Sequence, residues 1–286
     1  MNDLFNSIFL EVSARTSNLF QGSLKENIVF IHIPKCGGSS ISKALKSCYA
    51  TWDIRDRNLC HLDAAASLKA AQKLIARDLS SSRVDDPVVL KLRENLLVYF
   101  MCRENVNYIT GHLVFSSVAH RHFQENYAFI TILRDPVKRW ISEYLYNRYK
   151  SHEHCKIDME IEEYLDSEFG QAQGHKYVTF LGGNHEIGDY SPEQAVNQAK
   201  ENLHKFALIG FLEYPEKFLK QFEERFGRKL RIRNLNRNPK SKKHQSSVIT
   251  EKNLEKIQRI CQPDLEIYEY AIENFLNSNT SEYQDK

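Results

Sequence analysis

The sequence predicts an α/β protein built on a central parallel sheet flanked by helices on both faces. Three observations carry this. Short apolar runs rich in β-branched residues alternate with longer amphipathic segments, the order that links parallel strands through crossover helices. The first run, Ile28-Val29-Phe30-Ile31-His32-Ile33, stops at Pro34 and gives way to a glycine pair and two serines. A second run, Tyr127-Ala128-Phe129-Ile130-Thr131-Ile132-Leu133, leads straight into Arg134-Asp135-Pro136. Both runs have the profile of buried strands, and each delivers polar residues to the strand end where open α/β sheets bind ligands.

The whole chain sets bounds on the answer. Its 286 residues, 42% hydrophobic and 27% charged, fit one α/β domain spanning residues 1–286. A formal net charge of +2 is too small for recognition of a polyanion by overall charge, so no nucleic-acid partner is expected and any electrostatic recognition is local. Residues 1–25 mix Asp3, Glu11 and Arg15 into short apolar runs and lack the pattern of a secretory leader. No run approaches the roughly 18 apolar residues of a membrane span. Six cysteines are scattered without CxxC spacing, which argues against a zinc site or a disulfide scaffold. That usage suits a reducing compartment, and a cytoplasmic location is expected.

In chain order, residues 1–25 read as a helical lead-in. After the first strand, Gly37-Gly38 supplies a tight turn and a close backbone approach. Ser39 and Ser40 are expected to cap a helix running through Ile41, Ala44 and Leu45. From His61 to Arg77, apolar residues at Leu62, Ala65, Leu68, Leu74 and Ile75 predict a helix. Ser80-Ser81-Ser82 and Asp85-Asp86-Pro87 read as loop, and the 50–100 region as surface or acceptor-side structure. A short strand within residues 107–115 ends at Gly111 and His112. Beyond the second buried strand, Asp135 caps a helix with Pro136 in its first turn and Ile141, Tyr144, Leu145 and Arg148 on one face.

Residues 157–180 read as helical and 179–184 as the loop that ends them. Ser191 and Pro192 open another helix, residues 206–211 form a strand, and 215–226 a further helix. Residues 225–243 then carry Arg225, Arg228, Lys229, Arg231, Arg233, Arg237, Lys240, Lys242 and Lys243 with no acid among them. The chain ends in helix from 251 to 275, broken near Pro263, so residues 225–286 are expected to pack as a basic loop and terminal helices on the same domain.

Strand, glycine turn and hydroxyl-rich helix start together form an anion site. Backbone N–H groups and the helix dipole converge there, and Lys35 adds a full charge. Phosphate is the natural guest, which makes the fold P-loop-like. The Walker A spacing is absent, because Lys35 precedes the glycines and the first glycine is missing. Instead His32-Ile33-Pro34-Lys35-Cys36-Gly37-Gly38-Ser39-Ser40 resembles the 5′-phosphosulfate loop of the sulfotransferases, in the branch that includes the heparan- and chondroitin-type carbohydrate enzymes. Arg134, Asp135-Pro136 and Ser142, eight positions after the arginine, are similar to that family's 3′-phosphate motif.

The resemblance implies a co-substrate, 3′-phosphoadenosine 5′-phosphosulfate (PAPS), held by Lys35, Cys36, Gly37, Gly38, Ser39, Ser40, Arg134 and Ser142, with no metal required. It implies an acceptor hydroxyl, on a carbohydrate by analogy with the branch. Lys35 would also stabilise charge on the leaving phosphate. Residues 109–112, Ile-Thr-Gly-His, are similar to the segment carrying the base in the heparan-type enzymes, which makes His112 the expected base, with His175 and Glu143 as fallbacks. Cys36 is read as a small loop filler rather than a nucleophile, since family members place threonine there.

The basic run admits a solvated face, nucleic-acid binding, or a loop closing over the nucleotide or an acidic acceptor. The resemblance favours the last, with Lys240 and Lys242 as contacts ahead of a terminal Asp264-x-x-x-Tyr268 helix. The lack of an anchor pattern departs from Golgi members of the family: either the protein is a soluble relative, which is the expectation here, or an anchor has been trimmed. Two other classes compete: a P-loop-like kinase using a nucleoside triphosphate, and a nucleotide- or polyanion-binding protein without catalysis.

Overall fold

A computed structural model describes residues 23–49, 58–75, 86–151, 155–183, 192–232 and 249–276. Five parallel strands, β1 (Asn27–Ile31), β2 (Leu59–Leu62), β3 (Tyr108–Gly111), β4 (Tyr127–Leu133) and β5 (Leu208–Phe211), form one sheet in the order β2-β3-β1-β4-β5. Ile31 pairs with Gly111 on one side and Thr131 on the other, so β1 and β3 end level while β4 runs on to Leu133. From β1 the chain crosses to the edge strand β2, returns to β3 on one side of β1, and then passes to β4 and β5 on the other side. That makes the C-terminal end of β1 the crevice where such sheets take their ligands.

β1, β3, β4 and β5 are buried on both faces and cross the core in four to seven residues, whereas the edge strand β2 leaves His61 exposed. On one face Ile28, Phe30, Ile130 and Ile132 pack against α1 (Gly38–Ser47) and α10 (Pro215–Phe226) through Ile41, Leu45, Phe218 and Phe222. The alternate residues Val29, Ile31 and Phe129 face the other layer. That layer comprises α3 (Pro87–Cys102), α4 (Ser117–Phe123), α8 (Lys176–Leu181), α9 (Pro192–Leu203) and α12 (Gln262–Ala271), contributing Leu97, Ala119, Phe180, Leu203 and Ile267. A separate cluster around Trp140, Tyr144, Tyr164 and Ile257 joins α5 (Pro136–Tyr149), α6 (Ile161–Asp166) and α11 (Glu251–Ile260). Among the described residues, no helix is long and apolar enough to cross a membrane.

Several expectations are corrected. Ser39 and Ser40 do not cap α1: the cap position is Gly37, left-handed at φ 74°, with no side-chain cap bond, and the serines fall in the first turn. The region from His61 does not begin as helix. Leu59–Leu62 is the edge strand β2, and α2 (Ala64–Ile75) starts after Asp63, whose carboxylate accepts from the Ala66 N–H at 2.7 Å. The 50–100 region is more than surface, since α3 buries Val89, Arg93 and Leu97 against the core. Residues 157–180 form three short helices, α6, α7 (Glu168–Gln173) and α8, and the last continues through Leu181 where a loop was expected. The lead-in through residue 22, Ser191, and the basic segment 233–248 with Lys240 and Lys242 lie outside the described residues.

Candidate active site

At the C-terminal edge of the sheet a cleft of about 760 Å³ is walled by residues at or just past every strand end: His32 and Lys35, His61 and Asp63, His112, Arg134, and Leu212 with Glu213. Gly37, Gly38, Ser39 and Ser40 form its floor, and α5 contributes Ser142, Glu143, Tyr146 and Asn147, with Lys150 just past the helix end.

The turn after β1 is set by backbone conformation. Lys35 (φ 65°) and Gly37 (φ 74°) are both left-handed, which curls the chain into the start of α1. A Cβ at Gly38 would overlap the His32 ring, so only glycine lets the helix start come this close to the strand end. The first-turn N–H groups of α1 have no acceptors within the helix, and no acidic residue stands among them, so this end favours an anion.

Cys36 takes no part in the cleft wall. It is buried, its N–H donates to the Ile33 carbonyl, and its Sγ is 3.6 Å from the Tyr177 hydroxyl. Burial pushes its thiol up to about 12, so no thiolate forms near neutral pH.

Lys35 places its ammonium 3.8 Å from the centre of the Tyr146 ring. Burial lowers its pKa to about 8; Glu143 works in the opposite direction, and Arg134 and Lys150 add to the lowering. Arg134 is the first residue past β4, and its Nη1 donates to the Lys35 carbonyl at 3.0 Å. Its own peptide is clamped by Tyr177, which accepts from the Arg134 N–H at 2.7 Å and donates to the Arg134 carbonyl. Asp135 caps α5 by accepting from the Lys138 N–H at 2.8 Å, and this aims the next two turns so that Ser142 reaches the cleft.

The terminal helix explains why Asp264 and Tyr268 stand four apart. Asp264 accepts from the Tyr177 and Val178 N–H groups at 2.8 and 3.1 Å, anchoring the helix that carries the clamp. Tyr268 donates to Glu213 at 3.0 Å, and Glu213 accepts from the Asp135 N–H at 3.2 Å. Both therefore buttress the Arg134 corner from behind.

His112 packs at the end of β3 with its ring 4.8 Å from that of His32 and edge-on to Phe180. Its Nδ1 is 2.8 Å from the His32 carbonyl oxygen. A carbonyl only accepts, so Nδ1 carries the hydrogen and Nε2 keeps its lone pair. Burial pushes His112 down to about 4 and His32 to about 3, so both rings are neutral at pH 7. Of the fallbacks, Glu143 lines the cleft but is bound at 2.6 Å to the buried Arg139, and His175 is exposed outside the wall.

The structure thus brings together Lys35, Gly37, Gly38, Ser39, Ser40, His112, Arg134 and Ser142. Sequence reasoning missed His61, Asp63, Tyr146, Lys150, Lys176 and Glu213 on the same wall. The four-residue spacing of Ser142 and Tyr146 on one face of α5, with Lys150 just past its end, was a usable signal. Lys176 and His61 sit on short elements with no motif, and gave none.

The arrangement can hold an anionic ligand between two cations and a helix start, beside a neutral imidazole. A family model described as the sulfotransferase family matches residues 23–271. No curated protein matches the chain.

Proposed function

The chain belongs to the sulfotransferase family, and from that premise we propose that it moves a sulfuryl group from PAPS to a hydroxyl of a carbohydrate. One observation carries the reading: Lys35 and Arg134, 99 positions apart, are joined through a hydrogen bond at the edge of one cleft that also contains a neutral histidine.

The residues present fit the donor. Its 5′ end would rest on the Gly37-Gly38 turn and the first-turn N–H groups of α1, where a side chain at Gly38 would close the gap. Arg134 offers a planar fork, and Ser142 a hydroxyl, to the 3′-phosphate. When bound, PAPS supplies the sulfuryl group and a nucleotide bisphosphate leaving group. His112 Nε2 takes the proton of the attacking hydroxyl as the new O–S bond forms. The Lys35 ammonium receives the negative charge that grows on the departing phosphate oxygen as the old S–O bond breaks. Lys240 and Lys242 are proposed as further nucleotide contacts on sequence grounds alone.

A carbohydrate acceptor suits the remaining wall. The half-exposed ring of Tyr146 offers a stacking face, and Asp63, Asn147, Lys150 and Lys176 offer polar partners for a polyol. Incubating the protein with sulfur-labelled PAPS and a panel of glycans tests this: label should appear in a glycan with the wild type and not with His112→Ala. Release of label without any acceptor product, across neutral and acidic glycans, would contradict the carbohydrate assignment.

A further inference from the structure

We infer that Arg93 is a positioning residue, whose buried guanidinium fixes the His112 main chain against the wall formed where β2 enters α2. Arg93 occupies the stripe of α3 that also buries Val89, Leu90, Leu97 and Met101, where an apolar residue would pack without penalty. It is 0% exposed. A buried cation is costly unless its donors are satisfied, so its retention in such a stripe needs a reason.

The reason is in its donors. Nε donates to the Ser67 hydroxyl at 3.0 Å, Nη2 to the Ala64 carbonyl at 3.3 Å and Nη1 to the His112 carbonyl at 3.2 Å. Ser67 in turn donates to the Ala64 carbonyl at 3.0 Å. Ala64 and His112 both line the cleft, so one planar fork spans the gap behind it and sets their separation. Held from behind by Arg93 and through Nδ1 by the His32 carbonyl, the His112 ring has one nitrogen left for the cleft.

Charged and titratable groups also reach His112 from each neighbouring element. His32 on the β1 end, His61 on β2 and Arg93 on α3 face it, as does Glu143 on α5. Arg93 and His61 disfavour the protonated ring and Glu143 favours it. Removing the guanidinium therefore releases the His112 main chain and removes a charge that keeps the ring neutral.

The catalytic consequence rests on His112 being the base, but the positioning does not, and the test separates them. Long-range proton–nitrogen spectra of the full chain labelled at histidine nitrogens read the tautomer and titration of His112 directly. Arg93→Lys keeps the charge but loses the fork. It should blur the Nδ1–H tautomer and lower kcat about tenfold while the KM for PAPS stays within about twofold. Arg93→Met should in addition let His112 titrate at higher pH than in the wild type.

If Arg93→Lys keeps the wild-type tautomer and rate, the proposal is overturned, whether or not Arg93→Met folds. A wild type that neither binds adenosine 3′,5′-bisphosphate nor transfers sulfate would remove the sulfotransferase reading. The tautomer comparison would still decide the role of Arg93.

Discussion

The Arg134 guanidinium donates to the carbonyl oxygen of Lys35 at 3.0 Å, so the cation at the end of β4 also holds the shape of the turn after β1. The left-handed conformation of Lys35 turns that carbonyl toward Arg134. The two anion-facing elements are one mechanical unit, and damage to either should be felt at the other.

Gly38→Ala tests the floor of that unit. The added methyl collides with the His32 ring, which is stacked on Phe30, packed at a tilt against His112 and has little room to move. A loss of about 1–3 kcal/mol in unfolding free energy is expected, together with loss of nucleotide affinity. Ser39→Ala, at an exposed first-turn position, should leave stability within about 0.5 kcal/mol of the wild type. Thermal melts with and without nucleotide distinguish the two.

His112→Ala should spare binding of adenosine 3′,5′-bisphosphate and lower turnover by about 10²–10⁴-fold. Burial holds His112 down to about 4 in the free protein. Below pH 8, kcat/KM should therefore stay flat and fall only as His112 gains its proton, while any fall above pH 8 belongs to Lys35. An acid limb near the ordinary histidine value, or full turnover in the alanine variant, would place the base elsewhere.

Lys35 is lowered to about 8, chiefly by burial. An anionic ligand favours its charged form, so affinity for the bisphosphate should hold below pH 8 and weaken as pH rises above it. The wild-type dependence over pH 7–10 should disappear in Lys35→Arg, which stays charged throughout.

Stability should respond to pH through groups that oppose each other. His32 and His112, lowered to about 3 and about 4, bind protons more readily in the unfolded chain. Their contribution is complete above pH 6.5 and is lost as pH falls toward 4. Asp264 is raised to about 7 by burial, against the pull of Arg139, so its contribution runs the other way, falling as pH rises from about 4 to 7. The two histidines outweigh the single acid, and denaturation midpoints should rise from pH 4 to 6.5. Asp264→Asn keeps an oxygen for the Tyr177 and Val178 N–H groups and should make that rise steeper.

What was legible in the sequence follows from the range of the forces involved. β1 and β4 are buried on both faces, and α5 and α10 carry proline in their first turn, so local residues determined them. The glycine turn and the helix start at the sheet edge were readable because strand, turn and helix are contiguous in the chain. β2 was not, because Leu59–Leu62 is four residues at a sheet edge and is defined by pairing with β3, 49 residues away. The same holds for Cys36, Tyr177 and Arg93. Cys36 turns away from the cleft toward a tyrosine hydroxyl 141 positions on, a contact that no local pattern shows. Arg93 becomes meaningful only when α3 is laid behind His112.

The most direct test of the central claim is calorimetric titration with adenosine 3′,5′-bisphosphate, with ATP–Mg²⁺ as the competitor, in the wild type and in Arg134→Ala. The bisphosphate should bind the wild type, and the variant should lose about 2–3 kcal/mol of that affinity, the scale of a charge-assisted bond. Binding of ATP–Mg²⁺ in place of the bisphosphate, or bisphosphate binding that ignores Arg134, would contradict a PAPS site in this cleft.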